Sequence, residues 1–155
     1  MKPRHLLFAF LLTGCGGGGS SFVEGTTGAV ALSFVRGTGY TGSSTSISTF
    51  DRLNGSAIGD AIDASVTLGT RSVSVTALND PLVTGTVIDL TGGAGSSVTY
   101  RDPNGTWIAS SGTITVTSRG SASVTLTFTN VVIEASSGGA AGAATMSGTL
   151  TFTTA

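Results

Sequence analysis

Val124-Thr125-Leu126-Thr127-Phe128-Thr129 alternates apolar and hydroxylated side chains without a break, and Gly148-Thr149-Leu150-Thr151-Phe152-Thr153 repeats the pattern near the carboxyl end. Period two puts Val124, Leu126 and Phe128 on one face of an extended chain and the threonines on the other, the signature of a strand buried on one side. Thr113-Ile114-Thr115-Val116-Thr117 and Ser72-Val73-Ser74-Val75-Thr76-Ala77 read the same way, as do Val30, Leu32 and Phe34 set between Ala31, Ser33 and Val35. Composition points in the same direction. From Cys15 onward the chain holds 25 Thr, 21 Ser and 23 Gly, nearly half of 141 residues, and among Lys, Gln and Glu only Glu24 and Glu134. So many β-branched residues and so few strong helix formers favour strands.

Turn chemistry punctuates these runs. Asp102-Pro103-Asn104-Gly105 separates Ser97–Arg101 from Thr106-Trp107-Ile108; proline presets φ, Asn-Gly tolerates positive φ, and a hairpin follows. Arg119-Gly120 turns the next strand, and the small residues 136–144 form a loop before the last one. Strands are predicted over 28–36, 64–68, 71–78, 84–91, 96–102, 106–118, 121–134 and 145–154. Seven or eight short antiparallel strands with a meander-like C-terminal half imply an all-β domain, a β-sandwich or a small barrel. Residues 37–48 read as a long mobile loop, and Ser56–Ile62 as one or two helical turns weakened by Gly59. Five Phe, two Tyr and one Trp beyond residue 14 suggest a thin core.

The amino end carries a different message. Lys2, Arg4 and His5 precede the apolar run Leu6–Leu12, which is far shorter than the ~20 residues that span a bilayer. Leu12-Thr13-Gly14-Cys15 then resembles the lipobox of bacterial lipoproteins. That resemblance implies diacylglycerol on the Cys15 thiol, cleavage by signal peptidase II between Gly14 and Cys15, and acylation of the new amino group. It divides the chain into a signal peptide (1–14), the lipidated cysteine with a Gly/Ser tether (15–21) and a single β-rich domain (22–155). Several acyl chains together hold a protein on a membrane where one alone is marginal. The tether Gly16–Ser21 reaches on the order of 13 Å. Gly16 stands where an Asp would, in enterobacterial lipoproteins, retain the protein at the inner membrane, so the resemblance favours the outer membrane of an organism that has one.

Removing residues 1–14 also removes most of the reactive inventory. The remainder has five arginines against eight acids, a net charge of −3, with no lysine, no histidine and no cysteine besides Cys15. Ser-His-Asp, thiolate, Schiff-base and Ser-Lys mechanisms therefore have no residues to work with, and neither do zinc sites built on Cys or His. Paired carboxylates need only Asp or Glu, and Asp51, Asp60, Asp63, Asp80, Asp89, Asp102 and Glu134 are the candidates for a carboxylate-dependent hydrolase. Asp80 and Asp102 precede prolines, as turn residues do. Asp89, inside Val87-Ile88-Asp89-Leu90, is turned by alternation away from its apolar neighbours.

Asp102-x-Asn104-Gly105 resembles a fragment of a calcium loop but lacks the later acidic ligands, and is read as a turn. Five scattered arginines give no patch for nucleic acid. Tyr100 and Trp107 flank the hairpin and would form a glycan-stacking platform if exposed, or a cross-strand core pair if not. The leading expectation is a lipid-anchored, non-catalytic module of the cell envelope without cofactor or metal. Its partners are the membrane, through Cys15, and a protein or glycan of the envelope.

Overall fold

The computed structural model describes residues 27–93 and 95–154; the signal segment, the cleavage site at Gly14, Cys15 and the tether lie outside them. Ten strands follow in order: β1 (Gly28–Arg36), β2 (Ser46–Ile47), β3 (Arg52–Ile58), β4 (Ala61–Leu68), β5 (Arg71–Leu78), β6 (Val87–Asp89), β7 (Ser97–Asp102), β8 (Gly105–Arg119), β9 (Ser123–Gly138) and β10 (Ala143–Thr153). No helix occurs among the described residues. All pairings are antiparallel, in the order β2-β1-β10-β9-β8-β7-β5-β4-β3, with β6 beside the second half of β8. The protein is all-β, as the alternation predicts, and the C-terminal half is a meander from β7 to β10.

One sheet does the work of two. It curls into a half-barrel whose outermost strands, β2 and β3, are not paired with each other. β3 nevertheless swings back against β10, so that a Cβ on Gly55 would overlap the Phe152 ring. The concave side is the core. Val30, Leu32 and Phe34 of β1, Val124, Leu126 and Phe128 of β9, and Leu150 and Phe152 of β10 all point into it and are buried. They join Leu53, Ile62, Val66, Val73, Val75, Val98, Tyr100, Trp107 and Ile114 in one cluster. Valine and isoleucine supply the volume that the short supply of aromatics does not, so the core is continuous rather than thin.

The long strands bend because their alternation changes phase. In β9 the buried residues are Val124, Leu126 and Phe128, then Val131 and Ile133; in β8 they are Trp107, then Ile114 and Val116. An extra residue in β9 around Asn130 (φ 49°), a conformation asparagine tolerates, breaks the register with β10 between Met146 and Gly148. The neighbouring strands meet this bulge with glycine. A Cβ on Gly112 would stand 2.5 Å from the Asn130 carbonyl oxygen, and one on Gly148 would overlap the Ala31 carbonyl oxygen. A bulge backed by glycines across β8, β9, β10 and β1 makes the corner about which the sheet curls.

Four expectations need correction. Residues 37–48 are not a free loop: Tyr40, Gly42 and Ser44 are buried, and Ser46–Ile47 pair with Ser33 and Leu32. Ser56–Ile62 is the β3–β4 hairpin, with Ile58 paired to Ala61 and Gly59 at φ 55° in its turn. Apolar residues four apart mimic a helix, but the pairing partner that makes Ala57 and Ile62 neighbours lies across the turn. The 136–144 loop is shorter than predicted, because β9 runs to Gly138 and β10 starts at Ala143. β6 is cut to Val87–Asp89 of the predicted 84–91.

Candidate functional site

Antiparallel register sorts the chain into two ends. At one lie the start of β1, the ends of β8 and β10 and the β3–β4 turn; here the described chain begins, with Thr27 Oγ1 3.3 Å from Thr153 Oγ1. At the other lie residues 37–45, the β7–β8 hairpin and the β9–β10 turn. Nine residues of β1 separate them, about 27 Å at ~3.4 Å each.

The second end holds the densest polar arrangement among the described residues, centred on Asp102. Its side chain is turned inward beneath residues 41–44 and is 8% exposed. Oδ2 accepts hydrogen bonds from Ser43 N (2.7 Å), Ser43 Oγ (3.1 Å) and the Tyr100 hydroxyl (3.2 Å). Oδ1 accepts one from Asn104 N (2.8 Å), the Asx turn that the Asp-Pro-Asn-Gly sequence announces. Burial by itself raises the carboxyl pKa; the donors from Ser43, Asn104 and Tyr100 outweigh it, and the group sits below the usual carboxylate range. Asn104 Nδ2 donates to Thr41 O at 2.8 Å and Thr41 Oγ1 accepts from Ala141 N at 3.0 Å, so three loops are tied to one carboxylate.

Below this polar layer stand four rings. Phe34 and Tyr100 centroids lie 5.0 Å apart, Tyr100 and Trp107 5.6 Å, and Tyr40 and Trp107 5.3 Å, all tilted. Tyr100 and Trp107 are directly cross-strand and fully buried. A stacking platform needs a ring face open to solvent, which neither offers, so the glycan-contact assignment of Trp107 and Tyr100 is corrected to a core pair. Trp107 Nε1 donates to Ala141 O at 3.4 Å. Tyr40 is the exception in a well-satisfied layer: its hydroxyl is buried without a hydrogen-bond partner, and burial, then the nearby Asp102 charge, pushes its pKa to about 12. Tyr100 is raised for the same first reason.

The remaining candidate acids are spread out and exposed. Asp51 accepts from Gly69 N (2.6 Å), Asp60 from Leu82 N (3.4 Å), Asp63 from Thr76 Oγ1 (2.8 Å) and Asp89 from Thr91 N (2.7 Å). Asp89 faces solvent as alternation predicts, and the backbone bond from Thr91 lowers its pKa. Asp80 and Glu134 are exposed as well. Asp102 stands at the loop end, Asp51 at the β4–β5 turn, Asp60 and Asp80 toward the other end, and Asp89 opposite Thr113 midway along β8, so the fold disperses the acids. No group of three potential metal ligands occurs among the described residues.

Sequence order hides how the arginines collect. Arg36 ends β1, Arg71 begins β5 and Arg101 lies next to last in β7, so three of the five arrive at the loop end, while Arg52 begins β3 beside Leu53, which packs against Gly28 at the start of β1. Arg71 Nη1 donates to Ser44 Oγ; Arg36 donates to Gly42 O (3.2 Å) and lies 6.0 Å over the Tyr40 ring. Arg119 is at the opposite end, where it holds the carbonyls of Leu82 and Gly59. No family model, curated protein or solved structure matches the chain.

Proposed function

We propose that the protein is a lipid-anchored, non-catalytic structural or interaction module of the cell envelope, held through Cys15 and favoured for an outer membrane. One observation carries the reading: the tetrad Leu12-Thr13-Gly14-Cys15, followed at once by Gly16-Gly17-Gly18-Gly19-Ser20-Ser21. An acylated cysteine on a flexible tether is a means of placement, and the domain beyond it invests its polar side chains in holding loops. Asp102 is committed to three neighbouring residues, Asp51, Asp60, Asp63 and Asp89 each bind a group nearby, and Arg119 braces two turns. The β1 end, where the tether arrives, would face the membrane, and the Asp102 end would face away.

Metabolic labelling with palmitate tests this. Wild-type chain should incorporate label and fractionate with membranes, while Cys15→Ala should do neither. Equal labelling of the two would refute the anchor.

A further inference from the structure

Ile58 and Val83 leave 78% and 52% of their surface to solvent, and the fold brings them to one place. Register sets Ile58 opposite Ala61 and Ala61 opposite the exposed Leu78, on the outer face of β3, β4 and β5, since Ile62 and Ala77 point inward. Val83 arrives by another route. Arg119 donates to Gly59 O, next to Ile58, and to Leu82 O, next to Val83, so one guanidinium clamps the two turns that present these side chains. Arg119 N also donates to Thr84 Oγ1 (2.9 Å), and Leu82 N donates to Asp60 (3.4 Å). The apolar tips are therefore held in position. At the loop end the exposed Val35 and Ile108 stand apart, on β1 and β8 with β10 and β9 between them.

The chain enters the domain beside this cluster. Arg119, Val124, Phe152 and Gly28 form one register row across β8, β9, β10 and β1. Three strand spacings of ~4.8 Å put the start of β1 about 14 Å from the clamp. Twelve peptide units connect Cys15 to Thr27 and span at most about 43 Å at ~3.6 Å each. An acylated Cys15 would keep the tips within a few nanometres of the bilayer, where the high effective concentration lets a weak contact form.

We propose that Ile58, Leu78 and Val83 dip into the head-group layer of the bilayer that holds Cys15, a second contact that turns the Asp102 end away from the membrane. Aliphatic side chains gain free energy by leaving water for the boundary between head groups and acyl chains, and a cluster gains more than a lone residue. Asp60 and Asp80 are exposed beside the tips. Anionic lipid would repel these carboxylates, whereas the ammonium of phosphatidylethanolamine would pair with them, so the leaflet that fits is zwitterionic. This inference rests on the anchor proposed above.

The test uses the full acylated chain, reconstituted into vesicles of phosphatidylethanolamine and phosphatidylcholine. A fluorophore is attached to Ile58→Cys, Val83→Cys or, as control, the loop-end Val35→Cys; acylation leaves Cys15 no thiol to label. Nitroxide-bearing phospholipid should quench the Ile58→Cys and Val83→Cys labels at least about threefold more than the Val35→Cys label, and aqueous iodide should give the reverse order. Adding Ile58→Asp to the Val83→Cys chain should weaken docking about tenfold, the worth of one buried aliphatic side chain. Two labelled tips keep the test readable if one variant does not fold. Equal lipid quenching at all three positions, or no effect of Ile58→Asp, would overturn the proposal. So would tip labels shielded from iodide yet unquenched by lipid, as a second copy or a protein partner would leave them, or quenching that strengthens when phosphatidylglycerol replaces the zwitterionic lipid. A chain that does not float with the vesicles refutes the anchor and this contact with it, whereas one that floats with its tips in water refutes the contact alone.

Discussion

Asp102→Asn is the substitution that best separates a loop-organising carboxylate from an incidental one. The amide has nearly the shape of the carboxylate but only one acceptor oxygen. Turned toward Ser43 N, Ser43 Oγ and the Tyr100 hydroxyl, it keeps three bonds without charge assistance and sets its NH2 against Asn104 N, where a 2.8 Å bond had been. One bond becomes a clash of donors and three weaken. Ser43 and Asn104 are exposed enough for water to compensate in part. With hydrogen bonds to a charged group worth about 1.5–3 kcal/mol and neutral ones about half that, the loss should come to about 2–3 kcal/mol.

Urea unfolding followed by Trp107 fluorescence reads this directly, since the ring lies in the layer beneath. The pH dependence adds a second check. Folding lowers the Asp102 pKa, so its contribution is fully present above the unfolded value near 3.8 and is lost as pH falls through the lower folded value. The gap between wild type and Asp102→Asn should therefore be constant from neutral pH down to about 5 and should narrow steadily toward pH 2. A gap below about 0.5 kcal/mol at pH 7, or one that persists unchanged to pH 2, would refute the role given to this carboxylate.

Two further substitutions probe the same end and the corner of the sheet. Tyr40→Phe removes a buried hydroxyl that has no partner and should leave stability unchanged or raise it by about 1 kcal/mol, whereas Tyr100→Phe should cost about 1–2 kcal/mol by taking a donor from Asp102; equal effects in urea unfolding would show the two hydroxyls to be alike. Gly148→Ala places a methyl group on the Ala31 carbonyl at φ 137° and should cost more than about 3 kcal/mol, while Gly120→Ala, whose nearest neighbour is 3.8 Å away, should stay within about 0.5 kcal/mol; similar urea midpoints would contradict the close approach of β10 to β1.

Strands with strict alternation were legible in the sequence because their pattern depends on one interface, the core on one side and water on the other. β1, β5 and the repeated Thr-x-Thr strands fall where Val30, Val73, Leu126 and Leu150 place them. The Asp102–Gly105 hairpin and the Tyr100–Trp107 pair were legible for a similar reason: turn chemistry fixes a register within a few residues. β2 and β3 were not. Ser46–Ile47 is too short to show a period, and in Arg52–Ile58 the only fully buried side chain is Leu53, so the pairing with β4 rather than any pattern makes it a strand. The gathering of arginines at the loop end was hidden as well. Arg36, Arg71 and Arg101 are spread over 66 residues of sequence and reach one end only because alternate strands run in opposite directions.

The phase changes in β8 and β9 connect the fold to the surface it presents. Had both strands kept strict alternation, the inward set of Val124, Leu126 and Phe128 would have continued through Asn130 and Val132, leaving Val131 and Ile133 facing water. The bulge at Asn130 exchanges those roles. Trp107 and Tyr100 can then lie in the same core as Phe128, and the strand ends carrying Asp102 rise over the curl to meet residues 41–44. The outward positions left at that end are mostly hydroxyls and arginines, with Val35 and Ile108 the exposed apolar exceptions. A hydroxyl-rich sheet is thus more than a soluble coat: its composition is uniform along the chain, but curling about one bulge sets the loop end braced by Asp102 about 27 Å from the end where β1 begins.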